Sequence, residues 1–257
     1  DWLNPRRNHE IGHWTKPPLT YWAIAASVAA FGPHPWAARL PSALAYLLTA
    51  WLAWRLAQRC VPGGEDVAAI VFLTMLLPFA ASQLITTDCL LMLFETLAML
   101  GFVEARFGPP AHARRWTTLM WAGFALALLT KGPPGLLPLL AMLAFDVATR
   151  GPRRHRVFDL GGLALFLLLA APWYVAVTAN NPGLLAYFLG DEVVNRVASN
   201  EFDRNGQWYG WLAVYLPTLL LGTLPWTRDL LGALRRLPAD VRRWRADASA
   251  RSGDATR

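Results

Sequence analysis

Lysine is nearly missing from this sequence. Of its 24 basic residues only Lys16 and Lys131 are lysines, in the stretches TKPPL and TKGPP, and the rest are arginines. Cysteine is as rare: Cys60 and Cys89 fall at opposite ends of apolar runs, about 30 Å of bilayer apart, which excludes a disulfide between them. No cluster of His, Cys, Asp or Glu has metal-ligand spacing, and no glycine-rich phosphate loop, Walker signature or transporter-type internal repeat is present. His9 and His13 lie in a proline-broken stretch where no regular helix presents them together.

Charge is scarce too. Only 16% of the residues are charged while 55% are hydrophobic, and tryptophan occurs 13 times, so a soluble domain of this length would lack the polar side chains to cover its surface. The chain is therefore a membrane protein. Its net charge of +7 needs no nucleic acid to explain it, because arginine-rich loops on one side of a multi-span protein supply that balance. The opening DWLNPRRNHE is no signal peptide, having no apolar core after a basic start, and the sequence reads as cut from a longer chain. At the other end RRWRADASARSGDATR reads as a solvated tail.

Apolar runs predict seven membrane crossings, at 40–57, 67–86, 89–105, 116–130, 133–149, 158–178 and 209–231, so the fold class is an all-α transmembrane bundle. The connectors sort by charge. Arg55 and Arg59, Arg106, Arg114 and Arg115, the arginines of 150–156 and those of the tail all fall on one side, which the positive-inside rule makes the cytoplasm. Residues 1–39, the turn at Thr87 and Asp88, the Lys131 turn and the connector 179–208 then face outward. Residues 17–31 are too short and too proline-capped for a crossing and read as a helix along the outer interface, with Pro41 in the first turn of the first true span. Trp173, Tyr174, Trp208, Tyr209 and Trp211 fall at outer span ends, where amphipathic rings favour the headgroup layer. Residues 1–231 form the membrane domain and 232–257 a basic cytoplasmic tail.

Candidate site residues follow from this sidedness. Both lysines are external, beside proline-stiffened backbone, where a compact ammonium suits capture of a lipid-borne phosphate; the plainer reading is a snorkelling interface lysine. Asp88 sits at an outer mouth between two spans and also reads as a helix N-cap. Glu95, about 10 Å further along that helix, is an intramembrane carboxylate for which an arginine partner or an interhelical hydrogen bond is the ordinary expectation. In the outer connector, Leu184, Leu185, Phe188 and Leu189 are expected to face the membrane, while Asp191, Glu192 and Arg196 project toward water or a ligand, with Glu192 and Arg196 spaced for a helical ion pair.

Seven stretches taken in order, from DWLNPRRNHEIGHWTKPPLTYW through AARLPSALA, TTDCLLMLFETLAML, LLTKGPPGLLP, APWYVAV and YFLGDEVVNR to LLLGTLPWT, resemble the bacterial membrane glycosyltransferases of the aminoarabinose transferase and protein mannosyltransferase type. The resemblance implies the glycosyltransferase C fold, a location in the cell inner membrane with a periplasmic active face, and transfer of a sugar from an undecaprenyl-phosphate carrier to a lipid A-like or protein acceptor. It implies that Lys16 and Arg196 lie near the carrier phosphate and that Asp88, Lys131 and Glu192 line the site. It places the base, an Asp-Glu motif on a first outer loop, upstream of Asp1, and so implies that residues 1–257 alone do not transfer sugar. In the aminoarabinose branch a Glu and a His hold a zinc; Thr15 and Asp191 stand at those positions here, so no metal ligand is assigned and a divalent metal stays open. The competing class is a transporter or lipid-handling protein without covalent chemistry, which would place charge and broken helices deep in the bundle.

Overall fold

A computed structural model describes residues 2–7, 11–12, 14, 16–149, 157–190, 207 and 209–246. Their regular structure is helical, apart from one two-residue antiparallel pairing of β1 (Arg6–Arg7) with β2 (Ile11–Gly12) near the start. The helices are α1 (Leu19–Phe31), α2 (Pro35–Cys60), α3 (Glu65–Thr74), α4 (Leu76–Ser82), α5 (Asp88–Phe107), α6 (Ala113–Lys131), α7 (Leu137–Ala148), α8 (Leu160–Asn180), α9 (Leu184–Leu189), α10 (Gly210–Gly222) and α11 (Thr227–Ala246).

The centre of the bundle is the pair α5 and α6, flanked by α2 on one side and α8 on the other. Two glycines set the spacing of the central pair. A Cβ on Gly101 would stand 2.7 Å from the Met120 backbone nitrogen, and one on Gly123 would stand 2.8 Å from the Ala98 nitrogen, so each helix lays bare backbone against the other. Around that seam Phe102, Met120, Trp121, Phe124 and Met142 form the main core, and Trp121 Nε1 donates to the Val157 carbonyl at 2.8 Å.

The apolar runs are helical, with three corrections to the expected bounds. First, α2 starts at Pro35 rather than near residue 40, because Pro35 takes the first helical position, where its missing N–H costs nothing. Pro41 therefore lies inside the helix, and the Ala37 carbonyl that a residue 41 N–H would have served is met instead by Ser27 Oγ of α1, at 2.6 Å in a buried setting. Second, the run 67–86 is not one helix: α3 and α4 meet at an angle of 62° about Met75. Pro78, whose ring would clash with the Thr74 carbonyl in a continuous helix, sits in the first turn of α4, where it is tolerated. Third, the run 209–231 is interrupted at 223–226 between α10 and α11.

These two interruptions satisfy one another. Leu76 N donates to the Leu224 carbonyl at 2.9 Å and Trp226 Nε1 to Thr74 Oγ1 at 2.7 Å, while Tyr46 Oη of α2 covers the freed Leu73 carbonyl at 2.5 Å. Among the described residues α8 alone is long and apolar enough to cross a bilayer by itself, and α3 with α4 reaches that standard as a bent pair.

Ion pairs mark the two ends of the bundle. Arg59 with Glu104 at 2.9 Å, Arg106 with Asp146 at 3.6 Å and Arg114 with Asp159 at 3.9 Å lie at one end, and Lys131 with Asp88 lies at the other. The three arginine pairs and the one lysine pair thus lie at opposite ends of the bundle. The part of the expected tail before Ala246 is not irregular: the boundary at 231 falls inside α11.

Candidate functional site

Asp88 is the first residue of α5 and Lys131 the last of α6, so the antiparallel packing of those helices delivers both to one end. The Lys131 ammonium donates to Asp88 Oδ1. The reading of Asp88 as N-cap gives way: Thr87 holds the cap position and the Asp88 side chain reaches across to α6. Burial works to raise the Asp88 pKa, but the hydrogen bond and charge of Lys131, the Thr86 hydroxyl and the charge of Lys16 together hold it below the usual carboxylate range. The charge of Lys16 thus acts on the same carboxylate that Lys131 bonds.

The two proline-flanked lysine motifs meet. Gly132, which ends α6 at φ +75°, a conformation natural only to glycine, has the Pro17 ring 3.9 Å from where its Cβ would be. Pro17 and Pro18 are buried, which fixes the backbone beside Lys16. The site therefore brings two lysines to the neighbourhood of one carboxylate.

Below this mouth a groove of about 350 Å³ runs along α5, lined by Asp88, Leu91, Met92, Glu95, Thr96 and Met99, with Leu56 of α2 and Pro138 of α7 as its walls. From Asp88 to Met99 it follows the helix for roughly 16 Å. Glu95 has no ion-pair partner within 4.0 Å among the described residues, so the expected arginine pairing is not present; its carboxylate lines the groove instead.

Sequence spacing gave no sign of how the N-terminal segment closes the outer end. Trp22 Nε1 donates to the Trp2 carbonyl at 2.8 Å, Trp173 Nε1 to the Leu3 carbonyl at 3.1 Å and Asn181 Nδ2 to Asn4 Oδ1 at 2.9 Å. Trp173 is buried, and Tyr174 Oη donates to the Leu128 carbonyl, so neither is the headgroup-facing ring that its position implied; Tyr209 and Trp211 are exposed. Leu184 and Phe188 turn inward onto α8 rather than toward lipid, while Leu185 is open. Arg196 and Glu192, with Asp191, Thr15, His9 and His13, lie outside the described residues. Thr15 and Asp191 offer one hydroxyl and one carboxylate, a donor set unlike a zinc site.

Fold and site together define a multi-helical membrane protein with a lysine-bearing mouth over a lateral, mainly apolar groove. Residues 15–175 match the dolichyl-phosphate-mannose-protein mannosyltransferase family, and the chain belongs to that family. It is 31% identical over 244 residues to the undecaprenyl phosphate-alpha-4-amino-4-deoxy-L-arabinose arabinosyl transferase of Edwardsiella ictaluri, covering 91% of this chain and 42% of that protein. Its counterpart in Pseudomonas aeruginosa is 30% identical over 92% of this chain and 43% of its own length. Among solved structures, ArnT from Cupriavidus metallidurans bound to undecaprenyl phosphate superimposes with a TM-score of 0.81 at 25% identity, over 98% of this chain and 45% of that one. The apo state of the same protein gives 0.76 at 26% identity, over 88% and 41%. The fold is thus of the glycosyltransferase C type that the sequence resembles, and the chain spans about two fifths of the length of the curated relatives it matches.

Proposed function

We propose that this chain is the carrier-binding part of an inner-membrane glycosyltransferase that moves a sugar from undecaprenyl phosphate to a lipid A-like or protein acceptor at the periplasmic face. The observation that carries the reading is the convergence of Lys16 and Lys131 on Asp88 at the head of an apolar groove. Two ammonium groups suit a phosphate whose lipid tail stays in the bilayer, and their attraction grows as the departing phosphate gathers charge, which favours the transition state over the bound donor. Similarity to a structure holding undecaprenyl phosphate supports the same ligand here.

The transfer is inverting, with the acceptor hydroxyl losing its proton to a carboxylate. Asp88 is a poor choice for that base, since it is held ionised and engaged by Lys131; its role is to position the lysine. The resemblance gives the base to an Asp-Glu motif of a first outer loop, and Arg196 joins the lysines at the phosphate, with Glu192 beside it. In this reading residues 1–231 are the transferase membrane domain, crossing seven times with α3 and α4 as one bent crossing, and the basic segment beyond is cytoplasmic.

Broken helices would also suit a transporter. The break between α3 and α4, however, opens on Leu73, Thr74, Leu76, Phe79, Leu224 and Pro225, with no ionisable group to hold a polar substrate or a coupling ion. The deciding test is binding of undecaprenyl phosphate to the purified chain in lipid nanodiscs. Lys16→Ala and Lys131→Ala are each expected to weaken it by about tenfold, the scale of one charge-assisted hydrogen bond. Unchanged affinity in both variants removes the phosphate-capture role.

A further inference from the structure

Helix α11 has no part in the transfer chemistry, yet it is among the most regularly patterned segments of the chain. Leu230, Leu234, Leu237 and Val241 recur at intervals of four, three and four and form one stripe, with Leu231 at its margin. Arg228, Arg235 and Arg242 form a rail on the far side, and Arg236 and Arg243 form a second. With six arginines against Asp229 and Asp240, the helix carries a net +4.

The apolar stripe is not used inside the bundle. Leu234 is 46% exposed and Leu237 53%, and no other described helix packs along α11. The helix is nevertheless held close to the bilayer. It begins a few residues after α10, an apolar helix exposing Trp211, Leu216, Leu219 and Leu221, and the turn between them is tied to α3 and α4 through Trp226 and Leu224. An amphipathic helix with arginines on the face opposite a leucine stripe, fixed at the end of a lipid-facing helix, matches a surface that is apolar below and anionic above. Arginine stems run along such a boundary while their guanidinium groups reach the phosphates.

We propose that α11 lies on the membrane surface at the C-terminal end of α10 and binds anionic lipid head groups, its Leu230, Leu234, Leu237 and Val241 stripe seated in the acyl boundary. The occupant of the stripe is lipid rather than an acidic protein segment, because the face opposite the stripe carries two arginine rails and the helix starts at the end of the lipid-facing α10. On the positive-inside reading this is the cytoplasmic leaflet.

The test uses the full chain in nanodiscs of phosphatidylcholine with or without phosphatidylglycerol. Cys60→Ser removes the exposed thiol, and Cys89 is buried and stays unlabelled. A fluorophore is then placed at Leu237→Cys or at Arg236→Cys, and at Leu234→Cys or Arg243→Cys as a second pair, with thermal unfolding as the check on folding. In phosphatidylglycerol discs a nitroxide carried on the lipid is expected to quench the two stripe positions several-fold more than the two arginine positions. That contrast should shrink in phosphatidylcholine alone, and Arg235→Gln and Arg242→Gln should each weaken association of the helix with the anionic discs roughly fivefold. Equal quenching at stripe and arginine positions overturns the proposal. So does a stripe shielded from both lipid and aqueous quenchers, which would mean that protein covers it, and so does a contrast indifferent to phosphatidylglycerol.

Discussion

Lys131 closes its ammonium on Asp88, tying the last residue of α6 to the first of α5 across the head of the groove. The pair is half-open to solvent, so it is a weak contributor to stability and a strong one to placement. Asp88→Asn and Lys131→Met should each change the unfolding free energy by about 1 kcal/mol or less. When this chain replaces the matching part of the Cupriavidus metallidurans ArnT, each should also lower sugar transfer by about tenfold. The double variant should be no worse than either single one. Additive losses in the double-mutant cycle would show that the two residues act separately.

The same pair sets a pH dependence. The Asp88 pKa is depressed in the folded state, so its contribution is fully present above the ordinary carboxylate range and is lost only as pH falls through that lowered value. The difference in thermal midpoint between the native chain and Asp88→Asn should therefore be constant from about pH 8 to about pH 5 and should vanish only below about pH 4. A difference that faded near neutrality would mean that the carboxylate is not held by the lysines.

Ser27 serves a carbonyl that Pro41 leaves unpaired. Ser27→Ala should cost about 1–3 kcal/mol, the price of an orphaned buried acceptor. Pro41→Ala restores an N–H to the helix, so adding it to Ser27→Ala should recover most of that loss. Unfolding of all three variants in mixed micelles measures the coupling, and a double variant as unstable as the sum of the singles would contradict it.

Backbone contact at Gly123 holds α5 and α6 at the spacing that brings Asp88 to Lys131. Gly123→Ala places a methyl group 2.8 Å from the Ala98 nitrogen and should destabilise the bundle by about 1–3 kcal/mol. It should also weaken undecaprenyl phosphate binding, although residue 123 lies outside the groove. Retained stability would mean that the helices part without consequence.

Of the ion pairs at the other end, Arg106 with Asp146 is buried and Arg59 with Glu104 is partly open. Asp146→Asn should cost about 3–5 kcal/mol by stranding the Arg106 guanidinium. Arg59→Gln should cost less, by about 1 kcal/mol, and the order of the two unfolding midpoints is the measurement. A reversed order would place the burden on the exposed pair.

The amino-acid sequence by itself determined the helical class and which connectors are rich in arginine, because hydropathy and loop charge are local properties of the chain. The breaks at Met75 and before Trp226 were not legible in the apolar runs, which continue through both places, although Pro78 and Pro225 stand there. Only the tertiary structure decided that Pro41 would not break its helix, since that depended on a serine of a neighbouring helix being present to take the spare carbonyl. It also decided that Trp173 is core rather than interface, because its partner Leu3 lies 170 residues away in the chain. The meeting of Lys16, Asp88 and Lys131 is of the same kind. Each motif fixes its own backbone, but the charge they share exists only where α5 and α6, brought close by two glycines, carry their ends to the same place.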